Sequence, residues 1–332
     1  ANTRRNLMRF LPKPVADQCL DGAVDIELGG KSCQGTVFFS DVIGFTRMSE
    51  ALSPEEVVAM MNGYFNLMVP CIEETGGAID KFIGDAIMAF WGIPFDDGES
   101  AFKGVHSAIS MQTNLASYNN YQREHGLPEL AMGIGICSGP VVAGNIGSAD
   151  RVEYSVLGDT VNTASRIEGS SCAEQVLVGQ PTWEALGGRG YGTTMPPLMV
   201  KNKAEPVNTY SVRGLKLPDG EILLHVPVMI GGVRAFIVRC LQDKSFTILH
   251  CENCIFKENE ITLAAMELPQ RSLGRCEVLS KLPVQKNDSG LRRTLVRLGD
   301  DTLGGLLSEE APAYCELDWQ KMSRSNSVAV EK

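Results

Sequence analysis

Phe82-Ile83-Gly84-Asp85-Ala86-Ile87-Met88-Ala89-Phe90-Trp91 reads as two short apolar arms joined by a tight turn at Gly84-Asp85. Apolar residues on both arms imply a buried hairpin. A carboxylate at the tip of such a hairpin is costly unless a cation pairs with it. A second stretch, Thr36-Val37-Phe38-Phe39-Ser40-Asp41-Val42-Ile43-Gly44-Phe45-Thr46, repeats the pattern of an apolar strand, an aspartate at its end and a glycine loop. Two strand-end aspartates beside a glycine loop point to a two-metal phosphoryl-transfer site.

The elements around these stretches are legible from pattern and punctuation. Gly35 to Ser40 shows no polar alternation, which predicts a strand covered on both faces. Ser53-Pro54-Glu55-Glu56 predicts a capped helix start with proline in its first turn. That helix carries Met60, Met61, Tyr64, Phe65 and Met68 at helical spacing, and Gly76-Gly77 ends it. A long helix follows from about Ser100 to Arg123, then a strand at Leu130–Ile136 and a glycine-rich run from Gly139 to Gly147. Tyr154–Leu157 reads as a strand, Gly158-Asp159-Thr160 turns into a helix, and Val207–Val212 reads as a closing strand. The order β-α-β-β-α-β predicts an α+β, ferredoxin-like domain with helices on one face of an antiparallel-rich sheet.

The 332 residues suit one large domain or two ordinary ones. Gly214-Leu215-Lys216-Leu217-Pro218-Asp219-Gly220 reads as a linker, and the short apolar runs after it predict a small β-rich domain. The expected organisation is a helical lead-in at 1–30, a main domain at 31–214, a β-rich domain at 215–322 and a polar, disordered tail at 323–332. A net charge of -10 and the lack of a basic stripe speak against a nucleic-acid partner. The longest apolar runs, such as Ile222–Val228, are too short to span a bilayer. Ten scattered cysteines fit reduced thiols in a cytosol. The pair Cys251 and Cys254 would need further ligands to hold zinc, with His250, Cys240 and Cys276 as candidates. A cytoplasmic location is expected. The abrupt opening at Ala1 suggests an upstream sensor or regulatory region, which could tether the chain to a membrane.

Three segments together carry a resemblance. Phe39-Ser40-Asp41-Val42-Ile43-Gly44-Phe45-Thr46, Lys81-Phe82-Ile83-Gly84-Asp85-Ala86 and Gly158-Asp159-Thr160-Val161-Asn162-Thr163-Ala164-Ser165-Arg166 are similar to the motifs of class III nucleotidyl cyclases. The resemblance implies a head-to-tail homodimer with two shared active sites. It implies that Asp41 and Asp85, with the Val42 carbonyl, hold two Mg²⁺ or Mn²⁺ ions per site. Gly44, Phe45 and Thr46 would present backbone amides to the phosphates. Asn162 would orient the ribose, and Arg166, on the same helix face, would stabilise charge on the α-phosphate. Lys201, in Val200-Lys201-Asn202-Lys203, would contact the triphosphate, with Asn202 standing where the family carries glycine.

The resemblance implies that Lys81 and Ser155 choose the base. Lysine donates to the adenine N1 acceptor, whereas guanine presents a donor there, so ATP is the expected substrate. Ser155 is most similar to the threonine type of adenylyl cyclase. A surface lysine paired with Asp80 is the structural alternative for Lys81, and an ion pair with Glu168 or Glu174 is the alternative for Arg166. Asp41, Asp85 and Lys81 are expected on one part of the shared site, and Ser155, Asn162 and Arg166 on the other. Competing functions are a guanylyl or mixed-specificity cyclase and a nucleotide-binding regulatory module without turnover. Past residue 215, Arg271-Ser272-Leu273-Gly274-Arg275 and Asp300–Gly305 resemble the motifs of PilZ cyclic-di-GMP-binding domains, against the alternative of a β-rich docking module.

Overall fold

A computed structural model describes residues 29–148, 152–199, 205–230, 233–251, 260–263, 272–275, 277–285, 288 and 291–298. The expected N-terminal helix, Lys201, Cys254, Cys276, Arg271, the 300–305 motif and the polar tail lie outside the described residues. In chain order the elements are β1 (Gly29–Val42), α1 (Phe45–Ser49), α2 (Pro54–Glu74), β2 (Ala78–Ile83), β3 (Ala86–Trp91), α3 (Ser100–Glu124), β4 (Met132–Gly147), β5 (Val152–Leu157) and α4 (Asp159–Glu168). There follow β6 (Val176–Gly179), α5 (Gln180–Ala185), β7 (Gly190–Thr194), β8 (Thr209–Lys216), β9 (Ile222–Ile230), β10 (Val233–Cys240) and β11 (Ser245–His250). The last are β12 (Glu260–Leu263), β13 (Ser272–Arg275), β14 (Glu277–Leu282) and β15 (Arg292–Arg297).

The strands order as β6-β4-β1-β3-β2, with β1 antiparallel to β3 and β4 and with β6 parallel to β4. The segment β1-α2-β2-β3-α3-β4 is thus the expected ferredoxin-like unit. Ser53 accepts the Glu56 amide while Glu56 takes the Ser53 amide, so the capping box that sets the start of α2 is formed. Met60, Tyr64 and Met68 of α2 and Val105, Met111 and Leu115 of α3 bury against Phe38, Trp91, Met132 and Ile134 of the sheet.

Three expectations need correction. Helices do not keep to one face: Ala164 and Ile167 of α4 pack with Val37, Phe39 and Phe90 on the other side of the sheet. Gly135 makes that possible, because a Cβ there would stand 2.1 Å from the Glu168 amide nitrogen. The strand expected at Leu130–Ile136 does not stop at the glycine-rich run either. β4 continues through Pro140 as one 16-residue strand, paired with β1 from Gly29↔Asn145 to Val42↔Met132. Finally, the linker begins later than expected. Gly214, Leu215 and Lys216 belong to β8 and pair with Leu224, Leu223 and Ile222 of β9, and only Leu217–Glu221 turns. Leu215 is fully buried in the main core. The β-rich region therefore extends the same sheet, in the order β8-β9-β10-β11-β15-β14. It packs back on the main unit through Ala116 of α3, which meets the cluster of Phe236, Val238, Leu249 and Leu291.

Candidate active site

The β1–β3 register, ending at Ser40↔Ile87, sets Asp41 beside the β2–β3 turn that carries Asp85. Gly84 holds φ 67 in that turn, a conformation costly for any residue with a Cβ. The Val42 amide donates to Asp85 Oδ2 at 3.1 Å, and the Asp41 carboxyl hydrogen-bonds Asp85. Burial, then the contact with Asp85 and its charge, push Asp41 up to about 6. Glu168, at the end of α4, is pushed up to about 7 by burial and then by the charges of Asp41 and Asp85. The sequence marked Glu168 only as a possible partner of Arg166, because no local pattern shows that α4 lays its last turn over β4.

The charge of Asp85 thus raises the proton affinity of Asp41, the charges of both raise that of Glu168, and a divalent cation would relieve the same repulsion. Among the described residues no group of three or more His, Cys, Asp or Glu side chains is arranged to hold a metal. Two oxygen donors suit Mg²⁺ or Mn²⁺, which keep water and phosphate ligands, better than zinc. The expected zinc alternative weakens further at His250. Its Nδ1 contacts the Cys251 carbonyl at 2.8 Å and its Nε2 contacts Thr294 Oγ1 at 2.7 Å, so both ring nitrogens are engaged.

Beside the carboxylates, Gly44 adopts φ 75 and leads directly into α1, whose first residues are Phe45 and Thr46. The opening amides of a helix lack intrahelical partners, so they are available to an anion. On α4, Asn162 is exposed and Arg166 half-buried, on the side away from the buried Thr160, Thr163, Ala164 and Ile167. Glu174, one alternative partner for Arg166, instead binds Arg234.

Lys81 and Ser155 come together on one chain. Lys81 Nζ lies 3.3 Å from Asp80 Oδ2 and 3.7 Å from Glu153 Oε2, and Ser155 Oγ donates to the same Asp80 oxygen at 3.0 Å. This corrects the expected partition, which set Lys81 with the metal aspartates and Ser155 on the other part. A bulge explains it: Ile79 pairs with Ala89 and Lys81 with Met88, leaving Asp80 as the extra residue in β2. Bulges re-aim side chains, and this one turns Asp80 toward β5. The Asp80–Lys81 pair foreseen as a bland surface contact is real, yet the Asp80 side chain is 0% exposed. Burial raises its proton affinity, opposed by Ser155 and Lys81. No sequence pattern marks a bulge of this kind, which is why Asp80 was passed over.

With this geometry in hand, comparison with known proteins places the chain. Residues 31–214, more than half of it, match the description "Adenylate and Guanylate cyclase catalytic domain". The chain belongs to that family, the class III cyclases. It is similar to an adenylate cyclase of Anabaena cylindrica, 43% identical over 167 residues, covering 48% of this chain and 32% of that protein. Adenylate cyclase 1 of Rhizobium meliloti (strain 1021) is 36% identical over 163 residues, covering 48% of this chain and 24% of that protein. The chain thus spans about a third or less of the length of these relatives. Among solved structures, the guanylyl cyclase Cya2 matches with TM-score 0.54 and 39% identity, over 57% of this chain and 97% of that one. The adenylyl cyclase CyaB from P. aeruginosa matches with TM-score 0.54 and 33% identity, over 56% of this chain and 96% of that one. Members of the family therefore include both nucleotide specificities. No helix among the described residues is long and apolar enough to cross a membrane.

Proposed function

We propose that this cyclase domain converts ATP to 3′,5′-cyclic AMP and pyrophosphate, at a site completed by a second copy of the chain. The observation that carries the chemistry is the Asp41–Asp85 pair, half-buried and crowded enough to push Asp41 up to about 6. Asp41, Asp85 and the Val42 carbonyl would hold Mg²⁺ or Mn²⁺. When bound, such ions lower the proton affinity of the ribose 3′-hydroxyl and screen the triphosphate. Phe45 and Thr46 amides, with Lys201, would hold phosphate oxygens. Asn162 would fix the ribose so that its 3′-oxygen faces the α-phosphate. Arg166, permanently charged and fork-shaped, would meet the charge that grows on the α-phosphate as the P–O bond to pyrophosphate breaks.

The homodimer reading is supported by exposed apolar side chains. Phe82 and Ile83 at the hairpin tip are 48% and 52% exposed, and Val142 and Leu157 on the β4–β5 pair are 43% and 52% exposed. Such a set suits a protein partner better than water. Lys81 and Ser155 support ATP as the base-selected substrate. Steady-state assays with ATP and GTP, each with Mg²⁺ and with Mn²⁺, test the proposal. Cyclic AMP as the dominant product is expected. Dominant cyclic GMP would overturn the base reading, and nucleotide binding without either product would overturn the enzyme reading.

A further inference from the structure

The geometry points to Asp80 as the positioning residue that fixes base choice, by committing Ser155 to accept hydrogen bonds and holding Lys81 beside it as a donor. This deepens the adenylyl cyclase reading and rests on it.

A serine hydroxyl is ambivalent: it offers one donor and two acceptor sites, and it can rotate to suit either base. Serine at a base-reading position would therefore discriminate poorly on its own. Here the rotor is set. Ser155 Oγ donates to Asp80 Oδ2 at 3.0 Å, and an ionised carboxylate can only accept. With its proton spent, Ser155 retains acceptor capacity alone, the same capacity an aspartate would offer there. Lys81 Nζ, 3.3 Å from the same oxygen, has donors only. The pair thus presents one donor and one acceptor. Adenine offers the matching edge, an acceptor at N1 and an amino donor at C6. Guanine offers the opposite, a donor at N1 and an acceptor at O6, so both contacts would be mismatched. Buried polar mismatches discriminate far more strongly than lost apolar contacts.

Two independent features support a built arrangement. The bulge in β2 sets Asp80 out of the strand register and toward β5. The Asp80 side chain is wholly buried, and its Oδ1 has no hydrogen-bond partner. A carboxylate in that position, with one oxygen unused, is an expensive way to stabilise a fold.

The test compares kcat/KM for ATP and for GTP in the full chain and its variants. Asp80→Ala removes the acceptor, frees Ser155 to donate to guanine O6, and is expected to lower the ATP:GTP ratio by about tenfold or more. Asp80→Asn keeps an oxygen facing Ser155 and Lys81 and is expected to restore most of the ratio. In a double-mutant cycle, the loss caused by Asp80→Ala should be smaller in a Ser155→Ala background than in the wild type, because the part that runs through Ser155 is already gone and only the part that runs through Lys81 remains. If thermal melting shows Asp80→Ala unfolded, Asp80→Leu, which fills similar volume without an acceptor, replaces it. Equal losses for both nucleotides, or an unchanged ratio, would make Asp80 purely structural and overturn the inference. A wild-type chain that prefers GTP would instead overturn the adenylyl reading beneath it, so the two failures are distinguishable.

Discussion

The β2–β3 hairpin carries two acidic centres five residues apart, and their environments are opposite. At its tip, Asp85 stands against the half-buried Asp41 and raises its proton affinity, and the charges of both raise that of Glu168. In its first arm, Asp80 is wholly buried but holds a hydroxyl and an ammonium. The same functional group is thus used twice. One centre is left short of positive charge, which suits it to recruit an ion. The other is supplied with donors from its own chain, which suits it to hold neighbours still. Burial alone does not separate a catalytic carboxylate from a positioning one; the sign of its neighbours does.

The comparison breaks if the two centres respond alike. The largest effect is expected from Asp41→Ala, which should lower kcat by about a thousandfold or more for ATP and GTP equally, since a metal ligand does not read the base. Arg166→Ala should cost on the order of a hundred- to a thousandfold in kcat. Mixing these two inactive proteins should restore about a quarter of wild-type activity, because random pairing makes half the dimers mixed and each mixed dimer has one intact site. No recovery on mixing would sink the shared site.

A pH series sharpens the contrast. Asp41 takes up a proton near pH 6, and that proton competes with the cation. The Mg²⁺ concentration for half-maximal activity should therefore rise by about tenfold per pH unit below 6, while the ATP:GTP ratio stays level between pH 6 and 8. A ratio that follows the metal requirement would show that the two centres are not separate. The smallest effect concerns stability without added metal. Asp41 has its folded proton affinity raised above the ordinary value of 3.8, so stability present below about pH 4 is lost as pH rises through 6. Asp41→Asn should then raise the Tm of the metal-free protein at pH 8 by a few degrees, on the order of 2–4 °C, and do little at pH 4. Differential scanning calorimetry in chelator checks the sign.

The sequence exposed the first centre and hid the second for a physical reason. Asp41 and Asp85 sit where apolar strands stop, and a charge at such a boundary is visible without coordinates. Helix α2 was equally plain, because its capping box is local chemistry. Asp80 depends on a bulge within the β2–β3 hairpin, which residue type does not mark, and on β5 arriving from seventy-five residues further on. The side of the sheet chosen by α4 was hidden likewise, since it depends on Gly135 leaving room across the sheet. Gly139-Pro140 and Gly214 misled in the same way. Each has the composition of a turn, yet each sits in a paired strand whose neighbours supply the order.

The continuity of β8 into β9 has a practical side. A fragment trimmed at residue 214, where the family match ends, would be cut inside strand β8, which runs to Lys216. It would lose Leu215 from the main core and take away the strands that cover Ala116 on α3. The side of α3 around Ala116, now covered by Phe236 and Val238 of β10 and Leu249 of β11, would meet water. Such a fragment is expected to be limited by its solubility before its chemistry can be measured, and a longer piece that keeps β9 to β11 is the better choice for crystallisation and assay.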